Sequence, residues 1–135
     1  YPDLTTFDCP DANLANVKRT VSNTPLQALT TLNADAYSEA ARAMARRLLS
    51  ESLADDRAQL ARCLRLCLVR PVNEREIDAL LPLLAASRSY FQSRPDEAKA
   101  MTGTFTVAGL PAAETAAWAA TARIVLNLDE FITRD

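Results

Sequence analysis

Three cysteines are the side chains of this sequence whose spacing most suggests metal or nucleophile chemistry. Cys63 and Cys67 lie four residues apart, so on a helix their sulfurs share one face and could begin a metal site. A metal site would need two further ligands, and the sequence does not offer them. Side chains at i and i+4 of a helix are also poorly placed for a disulfide. We therefore predict two buried free thiols that pack as small hydrophobic side chains. Cys9 is the odd cysteine, and its pairing with either of the other two stays open.

The chain contains no histidine, and this limits the catalysis that it can support. Ser–His–Asp and Cys–His nucleophiles are excluded, together with the side chain most often used for proton transfer near neutral pH. The two glycines, Gly103 and Gly109, lie six residues apart and do not form a phosphate-binding loop. The paired acids at 55–56 and 129–130 have the positions of helix ends or solvated groups. The sequence predicts no catalytic and no cofactor-binding residue, and whether the whole protein is an enzyme stays open.

Oxygen-bearing side chains are concentrated near the beginning of the chain, at Asp8, Asp11, Asn13 and Asn16. Their spacing does not fit a calcium-binding EF-hand loop, because Ala15 occupies a ligand position and no glycine follows. Turns formed by Asx side chains explain the same residues. We therefore predict turns here and no metal site.

A polar stripe near the end of the chain is the candidate interaction site. It consists of Arg123, Asn127 and Glu130, which are spaced by four and three and would lie on one side of a continuous helix. The residues around them are mostly apolar. Two alternatives stay open: this edge faces solvent, or Arg123 and Glu130 tie the last helix to the beginning of the chain.

The elements that position these residues are predicted to be helices only. The 135 residues suffice for one hydrophobic core, 49% of them are hydrophobic, and glycine is almost absent while alanine and leucine are frequent. We predict a single all-α domain over residues 1–135. An extended arm, residues 1–22, precedes a compact bundle of about five to six helices, residues 23–135. The prolines and Asx residues of the arm argue against a regular element there.

Capping residues and prolines predict the helix starts. These starts are Thr24, Asn33, Asp56, Asn73, Pro95 and Pro111 or Ala112. Pro71 is predicted to end the third helix, and Pro82 to kink or break the fourth. The last helix carries Trp118, Ala122, Val125 and Leu128 with apolar residues around most of its circumference. Such a helix is typical of the buried centre of a bundle.

Charge and hydropathy exclude two kinds of partner for this chain. The net charge is -2, from 15 basic and 17 acidic residues that are interspersed, so no basic face is available for nucleic acid. No apolar run approaches the ~20 residues that span a bilayer, so we predict no membrane insertion. The chain begins at Tyr1 in an extended-looking stretch, and we expect a C-terminal fragment of a longer protein.

Two stretches carry a resemblance to a known family. The first is NTPLQALTTLN, residues 23–33, and the second runs from Ala117-Trp118 through Ala122-Arg123 to the sequence LNLDEF, residues 126–131. With Phe7-Asp8 and Pro10-Asp11 ahead of them, they resemble the C-terminal part of a domain of unknown function found in large planctomycete proteins. Those proteins often carry a planctomycete-type cytochrome c domain and a second uncharacterised domain upstream.

The resemblance implies an exported or periplasmic protein and, in many members, a neighbouring haem domain. This chain has no Cys-x-x-Cys-His motif, so we expect no cofactor in it and any haem elsewhere in the longer protein. The family supplies no established activity. Our leading hypothesis is a non-catalytic helical module with a structural or interaction role, whose partners are the upstream domains of the same protein. The alternative is an accessory part of an enzyme that acts on carbohydrate or another extracellular polymer, with a link to redox chemistry left open.

Overall fold

In the computed structural model, residues 24–51 and 53–133 are described, together with Thr6, Asp8, Cys9, Asn13, Ala15 and Val17. The described residues form seven α-helices and no strand, which confirms the all-α prediction. The helices are α1 (Pro25–Asn33), α2 (Asp35–Ser50), α3 (Asp56–Leu68), α4 (Glu74–Gln92), α5 (Pro95–Thr102), α6 (Ala112–Leu126) and α7 (Asp129–Ile132). Most of the predicted arm, residues 1–22, lies outside the described residues.

Two capping boxes start helices where the sequence predicts them. At α1, the Thr24 hydroxyl accepts from the Gln27 amide at 3.3 Å, and the Gln27 side chain accepts from the Thr24 amide at 3.0 Å. At α4, the Glu76 carboxylate accepts from the Asn73 amide at 2.8 Å. Each box satisfies backbone donors that have no partner inside the helix.

Two other predicted caps are wrong. Asn33 is the last residue of α1 and donates its side-chain amide to the Leu29 carbonyl at 2.9 Å, whereas Ala34 starts α2 without a side-chain cap. The cap of α3 is Asp55, one residue before the prediction, and its carboxylate accepts from the Ala58 amide at 2.8 Å. Asp56 is thereby free to bind another helix.

Neither Pro71 nor Pro82 is the residue at which a helix ends. The third helix ends at Leu68, before it reaches Pro71, because Val69 adopts a left-handed conformation. The fourth helix continues through Pro82, so of the two predicted outcomes the break is wrong. Pro82 and Asp78 are both exposed, and water can therefore reach the carbonyl that loses its donor.

Val69 carries backbone strain, since φ is 56° for a β-branched residue. Its side chain is 74% exposed, so packing contributes little to keeping valine there. We expect Val69→Gly to raise the free energy of unfolding by about 1 kcal/mol. Val69→Ala, which keeps a Cβ atom, should raise it less. Urea unfolding of both variants measures the difference, and a glycine variant less stable than the parent would contradict the strain.

The sixth helix is the centre of the fold, as predicted. It packs against α2, α4 and α5 and also contacts α1, α3 and α7. Trp118 and Val125 are fully buried and Ala122 is 1% exposed. The open side of α6 carries Ala120, Arg123, Ile124 and Asn127, which share one face of the helix.

Candidate interaction surface

The predicted polar stripe is divided between two helices. Arg123 lies in α6, Asn127 caps its C-terminal end, and Glu130 lies in α7. The prediction of one continuous helix is wrong, because the chain leaves helical geometry after Leu126 and Leu128 is extended. The structure therefore does not place the three side chains on one helix face, and the count of helices rises to seven.

Each stripe residue binds a different element of the same chain. Arg123 donates from Nη2 to the Leu32 carbonyl at the end of α1, which satisfies one of the carbonyls left without a partner there. The Asn127 side-chain oxygen accepts from the Thr31 hydroxyl. Glu130 binds Arg70 in the segment between α3 and α4. The stripe thus ties the end of α6 and α7 to the bundle, and a role in binding a partner stays a prediction.

The Thr31–Asn127 hydrogen bond joins the two sequence stretches that carry the family resemblance. Thr31 is 2% exposed and Asn127 is half-buried. We expect Asn127→Ala to lower the free energy of unfolding by about 1 kcal/mol, because the Thr31 hydroxyl loses one of its two acceptors and keeps only the Ala28 carbonyl at 2.8 Å. Thr31→Val is the matched variant, and the loss in the double variant should be smaller than the sum of the two single losses. Strict additivity in denaturant unfolding would contradict the contact.

Arg70 forms a second tie between the elements, with a carboxylate on each side. Its guanidinium donates to Glu130 at 2.5 and 2.6 Å and to Glu76 at 2.5 and 3.0 Å. The hydrogen bonds from Arg70 lower the pKa of both glutamates below its ordinary value. These side chains are one-third to one-half exposed, so solvent screens the pair.

This cluster predicts a pH dependence of stability. Because the folded pKa of both glutamates lies below the unfolded value of 4.5, the contribution is complete above that pH and is lost as the pH falls through the folded pKa values. The stability difference between the parent chain and Arg70→Gln should therefore shrink on acidification from pH 6 to about pH 3. Urea unfolding of both proteins at both pH values measures this difference. A stability difference that is the same at pH 6 and at about pH 3 would contradict the role of Arg70.

A second charged cluster brings together two carboxylates that are distant in sequence. Arg88 in α4 donates to Asp56 in α3, and to Glu114 in α6 at 2.6 to 3.1 Å. Trp118 donates its indole N–H to Glu114 at 3.0 Å. The hydrogen bonds from Arg88 lower the pKa of Asp56, whereas a general acid needs a raised pKa. The cluster is therefore an interhelical tie between α3, α4 and α6.

The two helical cysteines lie in the core and are free, as predicted. Cys63 is fully buried and Cys67 is 4% exposed. The hydrogen bond with Cys67, together with burial, raises the pKa of the Cys63 thiol, so this thiol is a poor nucleophile. Within the described residues, no three His, Cys, Asp or Glu side chains lie close enough together to hold a metal ion.

The first helix buries its polar side and exposes an apolar one. Gln27 is 1% exposed, and its side-chain amide donates to the Thr6 carbonyl at 2.9 Å and to the Asp8 carboxylate at 3.4 Å. Leu26 and Leu29, by contrast, are 60% and 56% exposed. A buried polar side and an exposed apolar side are the reverse of what a surface helix usually shows.

A groove runs along the open side of α6, between α1 and α4. It consists of two shallow depressions of about 400 and 360 Å³ that share Ala120 and Ile124. We call it the α6 groove. It is lined by Leu32, Asn33, Leu83, Ala86, Ser87, Tyr90, Phe91, Ala120, Arg123 and Ile124. Leu83 and Tyr90 are each 44% exposed.

The α1 leucines continue this groove. Leu26, Leu29 and Asn33 are spaced by three and four and lie on one side of α1, and Asn33 lines the groove. The exposed leucines at 26 and 29 thus lie on the same side of α1 as a residue of the groove, at whose other end Tyr90 is exposed.

Sequence reasoning missed this surface. It assigned Arg123 to a candidate site, and Arg123 does line the groove, but it did not single out Leu26, Leu29, Leu83 or Tyr90. A signal existed in α4, because Leu83 and Tyr90 lie off the apolar stripe that faces the core. In α1 the spacing of Leu26 and Leu29 was also available, although it does not say which side meets the bundle.

Comparison with known proteins identifies the family. A family model described as a protein of unknown function (DUF1553; PSD1) matches residues 1–84, more than half of the chain. The chain belongs to the DUF1553 family. No curated protein and no solved structure matches it.

The DUF1553 match covers α1, α2, α3 and the first half of α4. It includes the first stretch of the predicted resemblance, residues 23–33, and ends before the second, residues 117–131. The predicted resemblance to a domain of unknown function is confirmed, and its position in the C-terminal part of that domain stays a prediction. In the described part of this DUF1553 chain, no helix combines the length and apolar character needed to cross a membrane.

Proposed function

We propose that this chain is a non-catalytic helical module of a larger exported multidomain protein, and that it binds neighbouring domains through the α1 leucines and the α6 groove. The observation that carries the proposal is the orientation of α1. Its buried side is formed by Gln27 and Thr31, and its leucines at 26 and 29 face outward. Any haem would belong to a neighbouring domain.

The energetic argument follows from the area that these side chains leave in water. Burying an exposed leucine contributes about 1.5–3 kcal/mol, and α1 forgoes a large part of this at two positions. The opposite orientation of the helix would bury the leucines but expose Gln27. A partner that covers Leu26 and Leu29 would recover the burial without breaking the Gln27 hydrogen bonds.

The contacts around the charged groups support a binding role over catalysis. Asp56 and Glu114 both form ion pairs with Arg88, which leaves neither as an unpaired acid or base. Tyr90 is the exposed aromatic side chain of the groove, and a bound sugar ring would be expected to stack on it. Its ring is covered by the Arg94 guanidinium at 4.1 Å from the ring centroid, and its hydroxyl donates to Glu97 at 2.5 Å.

The proposal can be tested by adding the isolated chain to the remainder of the larger protein and measuring binding by calorimetry. Leu29→Asp and Leu83→Asp should each weaken binding at least about tenfold, because a carboxylate is buried without a partner. Ala85→Asp is the matched control. Ala85 is exposed on α4 and lies about 200° around the helix from Leu83.

The control variant should bind within about twofold of the parent chain. Circular dichroism should show that all three variants keep their helical content. Equal affinities for Leu83→Asp, Leu29→Asp and Ala85→Asp would contradict the proposed surface, and so would the absence of any binding by the parent chain.

A further inference from the structure

We infer that the α6 groove binds a helical segment of the partner that carries an acidic side chain, and that this carboxylate pairs with Arg123. The inference rests on the proposed function and specifies the chemistry of the partner. Two observations carry it: the shape and apolar lining of the groove, and the incomplete hydrogen bonding of Arg123.

The groove has the form that an amphipathic helix occupies. Its floor is Ala120 and Ile124 of α6, and its walls are Leu32 of α1 and Leu83 of α4. A third helix laid between two others buries side chains at i, i+3 or i+4, and i+7. In the described residues no strand is present to extend by pairing.

Arg123 is the cationic side chain of the groove, and it has no carboxylate partner among the described residues. Its Nη2 group is held by the Leu32 carbonyl. Its Nε atom is buried without an acceptor, and none of the groove-lining residues is acidic. By contrast, Arg62, Arg70 and Arg88 each bind at least one carboxylate of this chain.

These features specify the charge of the occupant. An arginine in an apolar setting attracts a carboxylate more strongly than it does in water. An incoming carboxylate would bind the accessible Nη1 group of the guanidinium, because Nε is buried out of its reach and Nη2 is held by the Leu32 carbonyl. An apolar helix with a single acidic residue on its buried face therefore fits this groove.

Two synthetic peptides provide the test. Each is a helix-forming peptide of about 18 residues with leucines at i, i+3 and i+7. The peptides differ at one residue, which lies between the leucines on the same face and is Glu in one peptide and Gln in the other. Both carry a fluorescent label, and their binding to the complete chain is measured by anisotropy. We expect the Glu peptide to bind at least about tenfold more tightly at low salt, with a preference that falls as salt is added.

Variants of the chain assign this preference to a residue. Arg123→Gln should reduce the Glu preference to less than about twofold, while Arg123→Lys, which keeps the positive charge, should retain more than about threefold. Leu83→Asp should weaken the Gln peptide as well, because it alters the apolar wall.

Equal binding of the two peptides would overturn the inference. A Glu preference that survives in Arg123→Gln would also overturn it, as would the absence of binding by either peptide at about 1 mM. If Leu83→Asp still weakens binding to the remainder of the larger protein, the proposed function stands while this inference fails. If Leu83→Asp weakens neither peptide binding nor binding to the remainder of the larger protein, both the proposed function and this inference fail.

Discussion

Replacing Trp118 with alanine should lower the free energy of unfolding by about 3–5 kcal/mol. Trp118 is fully buried at the centre of α6 and is the largest fully buried side chain of the core. Its removal loses the burial of the indole and leaves a cavity between helices that are already tightly packed. Glu114 also loses the indole N–H that donates to it at 3.0 Å.

The matched variant is Trp118→Phe, which retains much of the apolar volume but lacks the indole donor. It should cost less than Trp118→Ala, because the cavity is smaller. Urea unfolding followed by circular dichroism measures both changes without relying on tryptophan fluorescence. An alanine variant as stable as the parent would contradict the central position of α6.

Replacing Arg88 with methionine should lower the free energy of unfolding by about 2–3 kcal/mol. Breaking a buried ion pair costs about 3–5 kcal/mol, and partial exposure reduces this value because solvent screens the charges. The Arg88 side chain is 26% exposed and that of Glu114 is 21% exposed. Without the guanidinium, Asp56 and Glu114 face each other with no cation between them.

A triple variant separates this repulsion from the loss of packing. Arg88→Met combined with Asp56→Asn and Glu114→Gln should recover part of the loss, because no uncompensated charge remains. Urea unfolding of the triple variant measures the recovered free energy. A triple variant that is no more stable than Arg88→Met alone would show that charge repulsion is not the source of the loss.

The helix starts that could be predicted from sequence are those with local signals. The Thr24–Gln27 and Asn73–Glu76 capping boxes are formed by residues three positions apart. The local sequence is therefore sufficient to recognise them. The burial of α6 was predictable for a similar reason, since apolar residues occupy most of its circumference. Trp118, Ala122 and Val125 are accordingly in the core.

The helix ends that could not be predicted depend on contacts distant in sequence. Asn127 stops α6 where its side chain meets Thr31, which lies 96 residues earlier. Asn33 has the composition of a cap, but α1 and α2 are separated by Ala34 alone, so it completes the first helix. Asp55 and Asp56 are equally good caps by type, and Arg88 binds the second of them.

The exposure of the α1 leucines was not predictable, because amphipathicity does not say which side of a helix meets the core. In α1 the leucines at 26 and 29 identify an apolar side, and a sequence reading would turn that side inward. The hydrogen bonds of Gln27 to Thr6 and Asp8, and of Thr31 to Asn127, turn it outward. These contacts join parts of the chain whose proximity is a property of the fold.

Thiol labelling of the proposed larger protein tests most directly whether the α6 groove is an interaction surface. Cys9 is exposed and is first replaced with serine, while Cys63 and Cys67 stay buried. Ala86→Cys then places a thiol in the groove, and Ala85→Cys places one on another side of the same helix.

We predict that maleimide labels both thiols rapidly in the isolated chain. In the larger protein Ala86→Cys should react at least about tenfold more slowly, and Ala85→Cys within about twofold of its rate in the isolated chain. Equal labelling of Ala86→Cys in the isolated chain and in the larger protein would contradict the account.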